Sequence, residues 1–254
     1  MKRYGRILLE GAEAYVEVDA DGETLHVLIE PPWLGAVHTG QIRAAAGASW
    51  LVPTPASKVV AIGQNYRQHA LEMGKKVPEE PLLFLKPSTA LNAHLAPIVL
   101  PPASQEVHHE AELALIIGQR LSRASEDEAA HAIFALSCFN DVTARDIQRR
   151  ETQHTRAKGY DSFACLGPTM VAGLDWRDLR VQCRVNGVTR QDGRTADMVH
   201  PPPKLVSFIS HVMTLLPGDV VITGTPAGVG ALADGDVVEV EVEGIGVLRN
   251  PVTR

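Results

Sequence analysis

Apolar positions in this chain alternate with polar ones more often than they recur every three or four residues, and that alternation predicts strands. After Glu112 the odd positions Leu113, Leu115 and Ile117 are apolar in a run of branched residues ending at Gly118. This is the pattern of a strand with at least one buried face. Val59–Gly63 reads as a short buried strand, and residues 81–87 as a strand delivering Lys86. Residues 181–190 form a hairpin with Asn186-Gly187 at a type I′ turn. Residues 220–223 are a short strand, and Val237–Val242 alternates Val with Glu as a final, half-exposed one. Residues 6–9, 14–18 and 24–29 are short strands of a different texture, with Asp19-Ala20-Asp21-Gly22 as a turn. They predict a small β-rich unit over 1–53, joined to a main domain over 54–254 by the stiff Pro53-Thr54-Pro55.

Helical signals are few. Residues 64–74 predict a short helix stopped by Gly74. Ser125 and Glu128 make a capping box, after which Ala129, Ile133, Phe134 and Leu136 give a helical face running to about Asn140. Residues 205–216 predict a helix with Leu205, Phe208, Ile209 and Val212 on one side. Residues 149–158 are densely charged without apolar period, which predicts a mobile loop or lid.

Composition narrows the class. The chain has 254 residues, 45% hydrophobic and 21% charged, enough for a sizeable core in an ordinary globular protein. A net charge of −6 gives no basic footprint for nucleic acid or an anionic membrane. Cys138, Cys165 and Cys183 have no metal-ligand spacing and suggest reduced thiols in a cytoplasmic protein. The basic start is followed by only Ile7-Leu8-Leu9, too short for a signal peptide, and no segment reaches membrane-spanning length.

The chemistry concentrates around His108-His109-Glu110-Ala111-Glu112. Residues two apart in a strand point the same way, so Glu110 and Glu112 share a face, about 7 Å apart at their α-carbons. Such a pair is either a solvated strand face or a site for a hard divalent cation, with Asp141 the candidate third ligand. Position 113 is leucine, which excludes a zinc-protease motif starting at His109. The two histidines read as a shell around the carboxylates. His69 and Glu72, three apart on a helix, are either a general base with its orienting carboxylate or a surface ion pair. The glycine-rich residues 224–230 lack a phosphate-loop lysine but can offer backbone N–H groups to a carboxylate.

Taken together, these segments resemble the fumarylacetoacetate hydrolase superfamily. The matching text is Gly63-Gln64-Asn65-Tyr66 with His69 and Glu72, Phe84-Leu85-Lys86-Pro87-Ser88, and His108-His109-Glu110 with Glu112-Leu113. It continues with residues 140–148, Lys158-Gly159-Tyr160-Asp161, Gly167-Pro168 and Thr223-Gly224-Thr225-Pro226, in family order across roughly residues 58–252. The resemblance implies a mixed α/β but mostly β fold, a β-roll of mixed sheets with a few short helices, usually a homodimer. It implies Glu110, Glu112 and Asp141 as ligands of Mg²⁺, with Mn²⁺ or Ca²⁺ as substitutes. His69, Glu72 and Lys158 fall at catalytic positions, the first two on a helix that orders when substrate binds. Arg145, Gln148 and Thr225 fall at substrate-facing ones. The chain departs from the commoner pattern at His154, where many relatives carry an aromatic residue, and at Cys165, where proline is frequent.

The implied chemistry passes through the enolate of a small 2-oxo or 2-hydroxy-enol dicarbonyl acid. Relatives of closest texture are 2-hydroxyhepta-2,4-diene-1,7-dioate isomerases or decarboxylases of aromatic-acid catabolism. Acylpyruvate hydrolysis and oxaloacetate decarboxylation are the alternatives within the class. A protein that binds metal or ligand without turnover is the alternative outside it.

Overall fold

The computed structural model describes residues 1–74 and 76–254. The run after Glu112 is the strand Ala111–Ile117, and every residue in it is buried. Leu113, Leu115 and Ile117 enter one core layer with Leu136, Val181 and Val240. Ala114 and Ile116 enter a second layer with Val59, Phe139 and Leu166. With both faces apolar, hydrophobicity alone does not pin this strand's register. Glu112 does, because a one-residue slip would turn its carboxylate into the opposite layer at a cost of several kcal/mol.

The largest sheet is mixed and mostly antiparallel. Its order is His38–Ala44, Thr24–Leu28, Ala12–Val18, Lys2–Leu9, Ala164–Ala172, Ile133–Asp141, Ala111–Ile117, Val220–Ile222, Val59–Gly63 and Leu82–Lys86. A five-stranded sheet runs Val188–Arg194, Arg180–Val185, Val237–Val242, Gly246–Thr253 and Ile98–Val99. A three-stranded sheet joins Thr143–Ala144, Val107–His109 and Gly230–Leu232. Among the described residues, five α-helices decorate these sheets: α1 Arg67–Glu72, α2 Glu126–Ala132, α3 Arg145–Arg150, α4 Thr155–Lys158 and α5 Pro202–Val212. The architecture is the mostly β, mixed-sheet fold expected.

The N-terminal strands carry a small cluster of their own, built from Ile7, Val16, Val18, Leu25 and Val27. They also continue the large sheet, since Lys2–Leu9 pairs antiparallel with Ala164–Ala172. The strand His38–Ala44 was not legible in the sequence, because its side chains are mostly exposed and carry no apolar alternation.

Four local expectations are corrected. The capping box at Ser125 forms, but α2 ends at Ala132 and the chain from Ile133 to Asp141 is a strand. Pairing along the whole of Ala111–Ile117 supplies buried partners that outweigh the local helical pattern. Helix α5 stops at Val212 and buries Leu205, Val206 and Ile209, while Val212 is 59% exposed. Val237–Val242 is not the final strand, since Gly246–Thr253 follows and pairs with it. Residues 149–158 are not a bare loop: α3 runs to Arg150, and α4 follows with Ala157 and Lys158 buried.

Asn186 and Gly187 both have positive φ, 52° and 76°, as a type I′ hairpin requires. The three cysteines are free and buried, and burial pushes each thiol up to about 12. Among the described residues no helix is long and apolar enough to cross a membrane.

Candidate active site

Strand register assembles the acidic trio. Glu112 pairs with Phe139, and Asp141 lies two residues beyond Phe139 on the same face. The Asp141 amide donates to the Glu110 carbonyl at 2.8 Å, so these two residues stand opposite each other at the sheet end. The Glu110 amide donates to Asn140 Oδ1 at 3.0 Å, which fixes the break between Val107–His109 and Ala111–Ile117. One carboxylate oxygen from each of Glu110, Glu112 and Asp141 lies within 4.8 Å of the others, and all three residues are buried.

Three cationic side chains surround the trio. Lys158 Nζ donates to Glu110 at 2.8 Å and to Asp141 at 2.5 Å, Lys86 Nζ donates to Asp141 at 2.5 Å, and Arg145 donates to Glu110. Burial opposes the charge on Glu110, but Lys158 and Arg145 outweigh it and hold the carboxyl below its ordinary range. Burial, with a smaller repulsion from Lys158, pushes Lys86 down despite the opposing pull of Asp141. Burial also opposes the charge on Lys158, yet Asp141 and Glu110 together raise it above the usual lysine value.

Glu112 is the exception. Its polar partner among the described residues is the Gly224 amide, at 2.7 Å, and no cationic side chain bridges to it. Burial first, and then Asp141 and Glu110, push its carboxyl well above the ordinary range. The trio is therefore a set of hard oxygen donors with one member lacking a counter-charge, and that donor set suits Mg²⁺ or Mn²⁺.

A second group faces the trio across the cleft. His69 Nδ1 lies 3.0 Å from Glu72 Oε2, so Nδ1–H donates to the carboxylate and Nε2 is left as the unprotonated ring nitrogen of the neutral imidazole. Glu72 Oε1 accepts from the Gly228 amide at 3.0 Å. The glycine-rich segment thus serves both halves, giving one N–H to Glu112 and another to Glu72. Gly224 has φ +92°, and a Cβ there would meet Asn65 Cβ at 2.9 Å, so only glycine brings that amide this close.

The cleft between the halves is narrow, about 40 Å³, and is lined by His69, Arg145, Gln148, His154, Lys158 and Thr225 beside the trio. Every candidate site residue read from the sequence is thereby brought to one cleft, with Glu72 just behind His69. His108 and His109 were expected as a shell around the carboxylates; His108 sits 2.8 Å from Glu106 and accepts from Arg145 Nε at 3.4 Å, and His109 sits 3.0 Å from Gln191. His154 packs edge-on against Phe84, whose ring lies 5.2 Å from Lys158 Nζ. The sequence reading gave no role to Lys86 or Gln191. A lone lysine ending a strand signals nothing, and Gln191 lies in the polar strand Val188–Arg194, where no pattern marks it as buried.

This fold and site place the chain in the fumarylacetoacetate hydrolase family, to which it belongs: the family's C-terminal domain matches residues 58–253. A structure from Mycobacterium smegmatis named as a 5-carboxymethyl-2-hydroxymuconate delta-isomerase is 44% identical, with a TM-score of 0.94 and 99% of each chain covered. The oxaloacetate tautomerase YcgM of Escherichia coli (strain K12) is 41% identical over 201 residues, 76% of this chain and 92% of that protein. Fumarylpyruvate hydrolase from Pseudomonas aeruginosa, in complex with Mn²⁺ and pyruvate, is 30% identical, with a TM-score of 0.75 over 79% of this chain and 91% of its own. Divalent metal is therefore bound within the family, and the buried trio of this chain suits one.

Proposed function

We propose that the protein is a Mg²⁺-dependent enzyme that moves a proton at the carbon beside the keto group of a small 2-oxo or 2-hydroxy-enol dicarboxylic acid. The observation that carries this reading is the pairing of the trio Glu110, Glu112 and Asp141 with the His69–Glu72 dyad across one cleft. When bound, the cation supplies Lewis-acid stabilisation of negative charge on the substrate's oxygens.

The chain's own groups do the rest. His69 Nε2 takes the proton from carbon, while Glu72 holds the ring and supports its positive charge. Lys158 places an ammonium beside the developing enolate oxygen, and Arg145 and Gln148 orient the carboxylate. Glu110 and Asp141 are met by the cationic side chains Lys158, Lys86 and Arg145 and Glu112 by none, so a cation held by the trio would add positive charge that an anionic substrate offsets.

The relatives named isomerase and tautomerase support proton transfer as the first reaction class; decarboxylation is reachable at the same site from the keto form, whose C–CO₂ bond breaks to release CO₂ and leave an enolate that is then protonated. The relative named fumarylpyruvate hydrolase supports C–C hydrolysis as the second, in which His69 would activate a water. A panel of oxaloacetate, acylpyruvates and hydroxymuconate-type acids, assayed with Mg²⁺ and again with EDTA, tests the reading. Metal-dependent turnover of at least one dicarboxylic member is expected. Ligand binding without turnover in either condition would leave a silent binding protein.

A further inference from the structure

Asn65 lies between strand Val59–Gly63 and α1, four residues before His69, and is buried. Gln64 before it holds a left-handed φ of 58°, a costly conformation that persists only where surrounding contacts fix the chain. Asn65 makes such contacts. Its Oδ1 accepts from the His200 amide at 2.8 Å, and its Nδ2 donates to the His200 carbonyl at 3.0 Å and the Thr223 carbonyl at 2.8 Å. Its own backbone carbonyl accepts from the Val199 amide at 2.8 Å. The partners fix the orientation of the side-chain amide, since an N–H can only donate and a carbonyl can only accept.

These bonds join the two halves of the cleft. Thr223 is fastened to the strand that bears Glu112, where its amide and its hydroxyl both donate to the Leu113 carbonyl, at 3.1 and 3.0 Å. The next amide along, Gly224, is the one that reaches Glu112. Asn65 therefore connects the start of α1 to the strand of the trio through a single residue. The far end of α1 is held to the same segment by Glu72 and the Gly228 amide. The two anchors differ. The Glu72 side chain is 33% exposed and also serves His69, whereas Asn65 is short, buried and bonded to backbone alone. Helix α1 has no side-chain cap, so the placement of its first turn falls to Asn65 and to the Tyr66–Met198 bridge beside it.

We propose that Asn65 is a positioning residue: by tying the first turn of α1 to Thr223 and His200, it holds His69 in register with the acidic trio. Resting on the functional reading above, in which His69 Nε2 takes the proton, this makes Asn65 act through His69, since Asn65 does not itself line the cleft. A side chain that only stabilised the fold would affect both halves of the cleft alike. One that positions the base affects the His69 half alone.

Asn65→Ala and Asn65→Asp are measured in the full chain, alone and combined with His69→Ala, on the most reactive acid of the panel. Turnover is expressed per bound Mn²⁺, so that unfolded protein does not count. Asn65→Asp keeps the size of the side chain and its bond from the His200 amide but loses the Nδ2 donors, and it decides the proposal where Asn65→Ala does not fold. Each single variant is expected to lower turnover about 10- to 100-fold, as a base misplaced by about 1 Å does. Mn²⁺ affinity should stay within about twofold. In the His69→Ala background the same substitutions should change residual turnover by less than about twofold, because the group they act through is gone. Hydrogen exchange, which needs no substrate, should quicken over residues 66–74 and stay unchanged over 111–117. Unchanged turnover in the single variants, losses that multiply with His69→Ala, or exchange quickened equally in both segments would overturn the proposal and leave the functional reading intact. A wild type that turns over none of the acids overturns the functional reading and the role of His69 as base with it, while the exchange pattern still decides whether Asn65 holds α1.

Discussion

The two halves of the cleft are built differently. The floor, Glu110, Glu112 and Asp141, lies at one end of the two adjacent strands Ala111–Ile117 and Ile133–Asp141 of the large sheet, and all three carboxylates are buried. The wall, His69 and Glu72, rides on a helix of six residues with no side-chain cap at its start. A helix that short has no stability of its own and stands only by tertiary contacts. Here these are few: Ala70 and His69 are buried, whereas Leu71 is 75% exposed. Under the function proposed above, charge placement falls to the rigid half and proton movement to the half that is easier to displace.

The most severe way to break this comparison is His69→Ala. It removes the base and leaves the floor intact, so turnover should fall by about 10²- to 10⁴-fold. Mn²⁺ affinity should stay within about twofold. Equal loss of metal affinity would show that the two halves are one unit. The same variant separates the reaction classes: C–C hydrolysis should be abolished, while decarboxylation, which needs no nucleophile, should survive at reduced rate.

A pH titration sharpens the floor. Burial and the neighbouring charges of Asp141 and Glu110 raise the Glu112 carboxyl, so in the metal-free protein it keeps its proton to higher pH than an ordinary glutamate, and a cation competes with that proton. Apparent Mg²⁺ affinity should therefore climb with pH, by up to about tenfold per unit, until Glu112 ionises unaided. Stability of the metal-free protein moves in the opposite direction. A carboxyl raised on folding contributes most below its unfolded value, and metal-free protein should lose that contribution as pH rises through the raised one. Calorimetry in buffers of different ionisation enthalpy reads the released proton directly.

The smallest effect is expected on the outer face of the wall. Leu71→Gln should change thermal stability by no more than about 0.5 kcal/mol, as for other exposed positions. A larger loss would mean that a second copy covers α1, in keeping with the homodimer that the family resemblance implies.

Much of this division is legible in the sequence, but unevenly. Residues that alternate along Ala111–Ile117, or sit three apart as His69 and Glu72 do, declare their shared face through backbone geometry alone. Asp141 could be named but not placed, because its strand Ile133–Asp141 carries a helical pattern that only its buried partner strand overrules. Lys86 and Gln191 were unreadable for a different reason. Their roles depend on partners 55 and 34 or more residues away, Asp141 for one and Thr225 with Ala111 for the other. No local pattern records such meetings. The paired N–H groups of the glycine-rich segment lie between these extremes: their type was foreseeable, and their two carboxylate targets came only with the fold.

The central claim is that one divalent cation is held by the floor through Glu112, the carboxylate without a side-chain counter-ion. It is tested most directly by titrating Mn²⁺ into metal-free wild-type protein and into Glu112→Gln, with free Mn²⁺ followed by its spin-resonance signal. One ion per chain is expected in the wild type. The variant should weaken binding by more than about 100-fold, beyond what loss of a merely supporting residue costs. Glu112→Gln that binds Mn²⁺ as the wild type does would contradict the account.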